Sequence, residues 1–140
     1  MYVELTKEVN KAFVKKDWIS FRKWLTDDFT VKLVPNGMTF NQDEMMTILE
    51  TENLLNPRNS STELKVFEIN NCYSLTIADR MFYDQTDQLV GCSKSYDLMK
   101  WNERKVQSVI SYAAGVIDFK ITAKWLNSLD IEYEVNSLIE

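Results

Sequence analysis

A change of hydrophobic period at Glu63 restricts the fold more than any other feature. Before Glu63 apolar residues recur at helical spacing except in one short alternating stretch, Phe29 to Val34; after it they alternate with polar ones. Leu5, Val9, Ala12 and Phe13 form the stripe of an amphipathic helix over about 4–16. Asp17 is placed to cap a second, short helix carrying Trp18, Phe21, Trp24 and Leu25 and ending near Asp27 and Asp28. Phe29 to Val34 reads as a strand stopped by Pro35-Asn36-Gly37. Asn41 with Glu44 predicts a capping box for a third helix that runs to Asn56-Pro57. The polar stretch 56–62 is expected to be a mobile loop. Strands then follow at about 64–70, 72–84, 89–101 and 105–115, joined by turns short enough for antiparallel neighbours. Such a twisted sheet curls around the preceding helices.

The 140 residues, 45% of them hydrophobic and 12% aromatic, supply one core, and no linker or repeat marks a second domain. One domain, 1–140, is expected, with a core over about 4–115 and an extension over about 116–140 that periodicity leaves open between strand and helix. No apolar run approaches a membrane span and no leader pattern opens the chain, so a soluble, cytoplasmic protein is expected. A net charge of -5 without a basic stripe points away from nucleic acid; Lys15-Lys16 and Arg22-Lys23 read as solvated helix faces. Cys72 and Cys92, far apart and in no paired motif, read as buried free thiols.

Histidine is absent altogether. That removes Ser-His and Cys-His nucleophile pairs, imidazole bases and nearly all transition-metal sites. With no metal spacing and no phosphate-binding loop, no metal and no cofactor is expected, and chemistry would fall to carboxylates, tyrosines or lysines.

The order of elements carries a family resemblance, and two stretches sharpen it. In Val14 to Phe29, Asp17-Trp18 is followed by Phe21, Trp24-Leu25 and then Asp27-Asp28-Phe29 entering a strand. In Leu98 to Val106, Trp101 precedes a turn and Lys105-Val106 opens the next strand. Both resemble the nuclear transport factor 2-like superfamily, SnoaL-like proteins with the cystatin-like α+β cone fold. The resemblance spans about 4–115. It implies an α+β domain whose curved antiparallel meander wraps the N-terminal helices, a cone with a central cavity, here followed by a C-terminal extension. The turn Asn102-Glu103-Arg104 departs from the family, many of whose members have glycine there.

Pairing about Thr86 and Asp87 places Tyr73, Leu75, Ile77, Asp79, Met81 and Tyr83 on one sheet face with Tyr96, Leu98, Val106, Ile110 and Tyr112. This face is the more apolar and is expected to look into the cavity. Asp79 is its one acid, either a functional carboxylate or a structural acid bonded across the sheet. Tyr73, Tyr83, Tyr96 and Tyr112 could donate to a ligand carbonyl or satisfy one another within the core. Trp18 and the Met45-Met46 pair read as core or pocket wall, and one of Asp27 and Asp28, taken as Asp28, is expected at the cavity mouth.

The resemblance implies a protein binding a small apolar or carbonyl-containing ligand, possible acid/base chemistry of the isomerase, dehydratase or cyclase type, Asp79 as base and tyrosines stabilising an enolate. The alternative is a non-catalytic scaffold that forms a homodimer through an outer sheet face bearing Ala78, Phe82, Met99, Trp101 and Val109.

Overall fold

Buried Thr6, Val9, Asn10 and Ala12 share one face of α1 (Val3–Val14), so the stripe read from the sequence does face the core, but with polar residues in it. Asp17 caps α2 (Trp18–Lys23), accepting from the Ser20 amide at 3.2 Å. The computed structural model describes residues 1–34 and 37–114, and the expected extension lies outside them. β1 (Leu25–Val34) starts where α2 ends, four residues before the sequence places it, because Leu25 is buried and pairs with Val106. β2 (Thr39–Asn41) was not expected: three residues are too short to show a period.

α3 (Gln42–Leu55) carries the predicted capping box, with Glu44 amide to Asn41 Oδ1 at 2.9 Å and Asn41 amide to Glu44 Oε1 at 3.1 Å. β3 (Ser60–Glu68), β4 (Tyr73–Tyr83), β5 (Leu89–Asn102) and β6 (Lys105–Ala114) complete the described chain. β3 takes in half of the stretch expected to be a mobile loop, since Ser60, Ser61 and Thr62 pair with Met81, Arg80 and Asp79.

The fold is α+β, with the sheet in the order β2-β1-β6-β5-β4-β3, curved and open. Four junctions are antiparallel, as the meander requires, but β1 lies parallel to β6. The intervening helix and hairpins supply the long crossover that a parallel pair needs.

Apolar side chains are buried on both sides of the sheet. The helix-covered side gathers Phe21, Leu25, Phe29, Met45, Met99 and Trp101 among others, and the opposite side gathers Phe67, Ile69, Leu75, Ile77, Tyr96 and Leu98. The expected pairing of β4 with β5 and of β5 with β6 is observed, with Leu75 opposite Leu98 and Leu98 opposite Ile110. Val106 is the exception. A register shift between Lys100 and Trp101 sends it to the helix side, where it is fully buried.

The β5–β6 turn puts Glu103 at φ 55°, the left-handed region in which a side chain is strained. Glycine, which the family resemblance expects in this turn, adopts that region freely. Glu103→Gly is therefore expected to raise stability by about 0.5–1 kcal/mol, part of the relief being offset by a freer unfolded chain. A shift of the urea midpoint to higher concentration at constant m-value checks it; a lower midpoint would refute it.

Candidate functional site

A cavity of about 260 Å³ lies between the sheet, α1 and α3. Its wall is largely apolar, with Phe13 from α1, Phe29 and Val31 from β1, Met45 and Leu49 from α3, and Met99 and Val109 from the sheet. Five polar side chains join them: Asn10, Glu52, Arg80, Asp97 and Ser111. The sheet face that lines the cavity is thus the one bearing Arg80, Asp97, Met99, Val109 and Ser111, the reverse of the sequence expectation.

The reversal has a physical cause. The helix-side face is the more polar because α1 presents polar groups to it. Thr6 Oγ1 lies 2.7 Å from Ser74 Oγ, and Asn10 Nδ2 donates to Thr76 Oγ1 at 2.9 Å and to Glu63 Oε1 at 2.8 Å. A buried helix–sheet contact built from paired polar groups does not look inward on an apolarity scale. Of the five residues that suggested a homodimer, Ala78, Met99 and Trp101 are buried, while Phe82 and Val109 are partly so.

Asp79 does not line the cavity. It stands opposite Lys94 on β5, and its carboxylate pairs with the Lys94 ammonium, both side chains partly exposed. Tyr96 is buried in the core of the far face, 6.3 Å from the Tyr112 ring, and Tyr73 and Tyr112 pack against that core. Tyr83 lies under the Arg58 guanidinium at 4.7 Å. Asp28 is exposed, accepting from Thr26 Oγ1 at 2.7 Å and from Gln107 Nε2 at 3.4 Å; these bonds, that from Thr26 foremost, hold its carboxyl below the usual range. Asp27 is exposed as well. Cys72 and Cys92 are exposed rather than buried. Of the residues expected at the site, Met45 lines the cavity and Trp18 lines a smaller side pocket of about 40 Å³ that shares Phe13, Leu49, Glu52 and Arg80 with it.

The polar groups overlooked in the sequence are those of the cavity. Among the described residues the Asp97 carboxylate accepts one hydrogen bond, from Ser95 Oγ to Oδ2 at 3.5 Å, which leaves most of its acceptor capacity unused by them. Arg80 stacks over the Phe13 ring, its Cζ 5.6 Å from the centroid. The signal that would have found this face is Thr6 and Asn10 at i and i+4, inside the apolar stripe of the first helix: polar groups there require a sheet face able to bond them. Among the described residues no group of three or more acidic or thiol side chains could hold a metal, and no helix is long and apolar enough to cross a membrane.

Compared as a sequence, the chain matches no family model and no curated protein. Solved structures match its fold over most of the chain. A cystatin-fold protein from Novosphingobium aromaticivorans superposes with a TM-score of 0.67 at 15% identity, covering 78% of this chain and 95% of that one. A nuclear transport factor 2-like protein of unknown function from Burkholderia pseudomallei gives 0.66 at 12% identity over 89% and 93% of the two chains. A protein with a ketosteroid isomerase-like fold from Catenulispora acidiphila, solved in complex with trimethylamine, gives 0.67 at 11% identity over 79% and 85%. The chain has the nuclear transport factor 2-like fold. At these identities the likeness defines the architecture alone.

Proposed function

We propose that this chain binds a small, predominantly apolar molecule between its helices and the sheet, and the observation that carries this reading is the cavity itself. Its volume of about 260 Å³, its aromatic and aliphatic wall and its few converging polar groups are the properties of a ligand site. A scaffold would have that space filled, since protein interiors otherwise leave few voids larger than a water molecule. Acid/base chemistry of the isomerase, dehydratase or cyclase kind, if the ligand is turned over, falls to Asp97 or Glu52 in place of Asp79. Both carboxylates line the cavity and each accepts one long hydrogen bond, from Ser95 at 3.5 Å and from Asn59 at 3.4 Å, whereas that of Asp79 is held by Lys94.

Titration with N-phenyl-1-naphthylamine, a neutral apolar fluorophore, tests the reading. Enhanced emission is expected with the wild type. Val109→Phe, which fills the cavity from β6, is expected to weaken binding at least about tenfold, since a filled wall cannot admit the rings. Leu49→Trp does the same from α3, so that a folding failure in one variant does not decide the matter. No enhancement with the wild type, or equal affinity in a folded filled variant, would refute it.

A further inference from the structure

Arg80 is the cation among the residues shared by the cavity and its side pocket, and it has no counter-charge among the described residues. Arg80 lines both spaces, yet no described carboxylate lies within 4.0 Å of its guanidinium and it makes no hydrogen bond to a described residue; its guanidinium lies over the face of Phe13. A partly buried guanidinium carries five donors that want a planar acceptor, and burial without one costs free energy. The Glu52 carboxylate, which lines the same two spaces, is instead approached by Asn59 Nδ2 at 3.4 Å.

A second donor beside the same ring is also unmatched. Trp18 sits edge-on to Phe13 with ring centroids 5.4 Å apart and lines the side pocket, and its Nε1 is shielded from solvent with no acceptor. A buried indole N–H is ordinarily bonded. Two donors of different chemistry, on residues that both contact the Phe13 ring and neither with an acceptor among the described residues, belong to side chains that border a side pocket of about 40 Å³, large enough for a carboxylate and too small for a ring.

We infer that the ligand is an anionic amphiphile, a carboxylic acid with an apolar body. The carboxylate lies at the junction of the two spaces on the Arg80 guanidinium, and the Trp18 N–H reaches it after a small turn of the indole, the kind of side-chain adjustment common on binding. The body fills the cavity wall of Phe29, Val31, Met45, Met99 and Val109. This rests on the ligand-site reading above and adds the charge and place of the head group.

The test is displacement of N-phenyl-1-naphthylamine by three eight-carbon competitors, octanoate, octan-1-ol and octylammonium, at neutral pH. In the wild type octanoate is expected to compete about tenfold or more better than octan-1-ol, the effect of one charge-assisted hydrogen-bonded pair. Arg80→Gln is expected to abolish that advantage, octanoate losing about tenfold more than octan-1-ol, with a cooperative urea transition showing that the variant is folded. Trp18→Phe is expected to reduce the advantage several-fold, octanoate again losing more than octan-1-ol. Equal competition by octanoate and octan-1-ol, or an octanoate advantage that survives Arg80→Gln, overturns the inference while the apolar site stands. Preference for octylammonium overturns it in favour of Asp97 and Glu52 as the recognising groups. If the fluorophore fails to bind the wild type, the ligand-site reading falls first and this inference with it.

Discussion

Ser74→Ala is expected to lower the free energy of unfolding by about 2–3 kcal/mol, a large effect for the loss of one oxygen atom. Ser74 is fully buried on β4 and stands in the middle of a directed chain of hydrogen bonds. Trp101 Nε1 donates to Ser74 Oγ at 2.9 Å, and Thr6 Oγ1 donates to the Tyr2 carbonyl at 2.6 Å. Because the indole can only donate and the Thr6 proton is already committed, the 2.7 Å contact between the two hydroxyls must carry the Ser74 proton to Thr6. Alanine leaves a buried indole N–H without an acceptor and a buried hydroxyl oxygen without its donor. Each unsatisfied group costs about 1–3 kcal/mol, and the space left by one hydroxyl is too small to hold a water. Urea unfolding of Ser74→Ala, Trp101→Phe and the double variant measures it. Trp101→Phe keeps most of the stacking on Tyr2, whose ring lies 4.9 Å away at 9°, while removing the donor. The double variant should therefore cost less than the sum of the singles. Strict additivity, or a loss below about 0.5 kcal/mol for Ser74→Ala, would mean that this chain does not hold α1 to the sheet.

That chain also explains how far the sequence could be read. Elements with a local cause were legible: Asp17 and Asn41 cap the helices they were expected to cap, and the cross-strand partners of β4, β5 and β6 follow from alternation and short turns. Elements fixed by distant partners were not. Leu25 becomes strand because Val106 pairs with it, Ser60 to Thr62 because β4 offers an edge, and β2 because β1 does. The inner face was misplaced by one inference, that the more apolar sheet face must be the inner one. Alternation sorts side chains into two sets and does not say which set meets the helices. Here the set with Ser74, Thr76, Arg80 and Asp97 does, because Thr6 and Asn10 on α1 offer it bonds. The acid sought on the cavity wall was therefore taken from the wrong set, Asp79 instead of Asp97, while Trp18, on a helix and independent of that choice, still lines a pocket.

Leu98→Ala separates the two faces energetically. Leu98 is 1% exposed on the face away from the helices, between Leu75 on β4 and Ile110 on β6. Had that face been the cavity wall, trimming the side chain would have enlarged a space already present, at little more than the transfer free energy of the lost atoms. In a filled core the same change opens a new void, and Leu→Ala changes of that kind cost about 2–5 kcal/mol, rising with the volume left behind. The expected loss is about 3 kcal/mol in urea unfolding, with no change in the affinity for N-phenyl-1-naphthylamine under conditions where the variant remains folded. Met99 is the neighbour in sequence but points the other way, into the cavity, so Met99→Ala should alter that affinity. A Leu98→Ala variant that weakens the fluorophore while Met99→Ala does not would place the cavity on the far face after all. Two consecutive residues of one strand thus report on opposite sides of the sheet, one through stability and the other through binding.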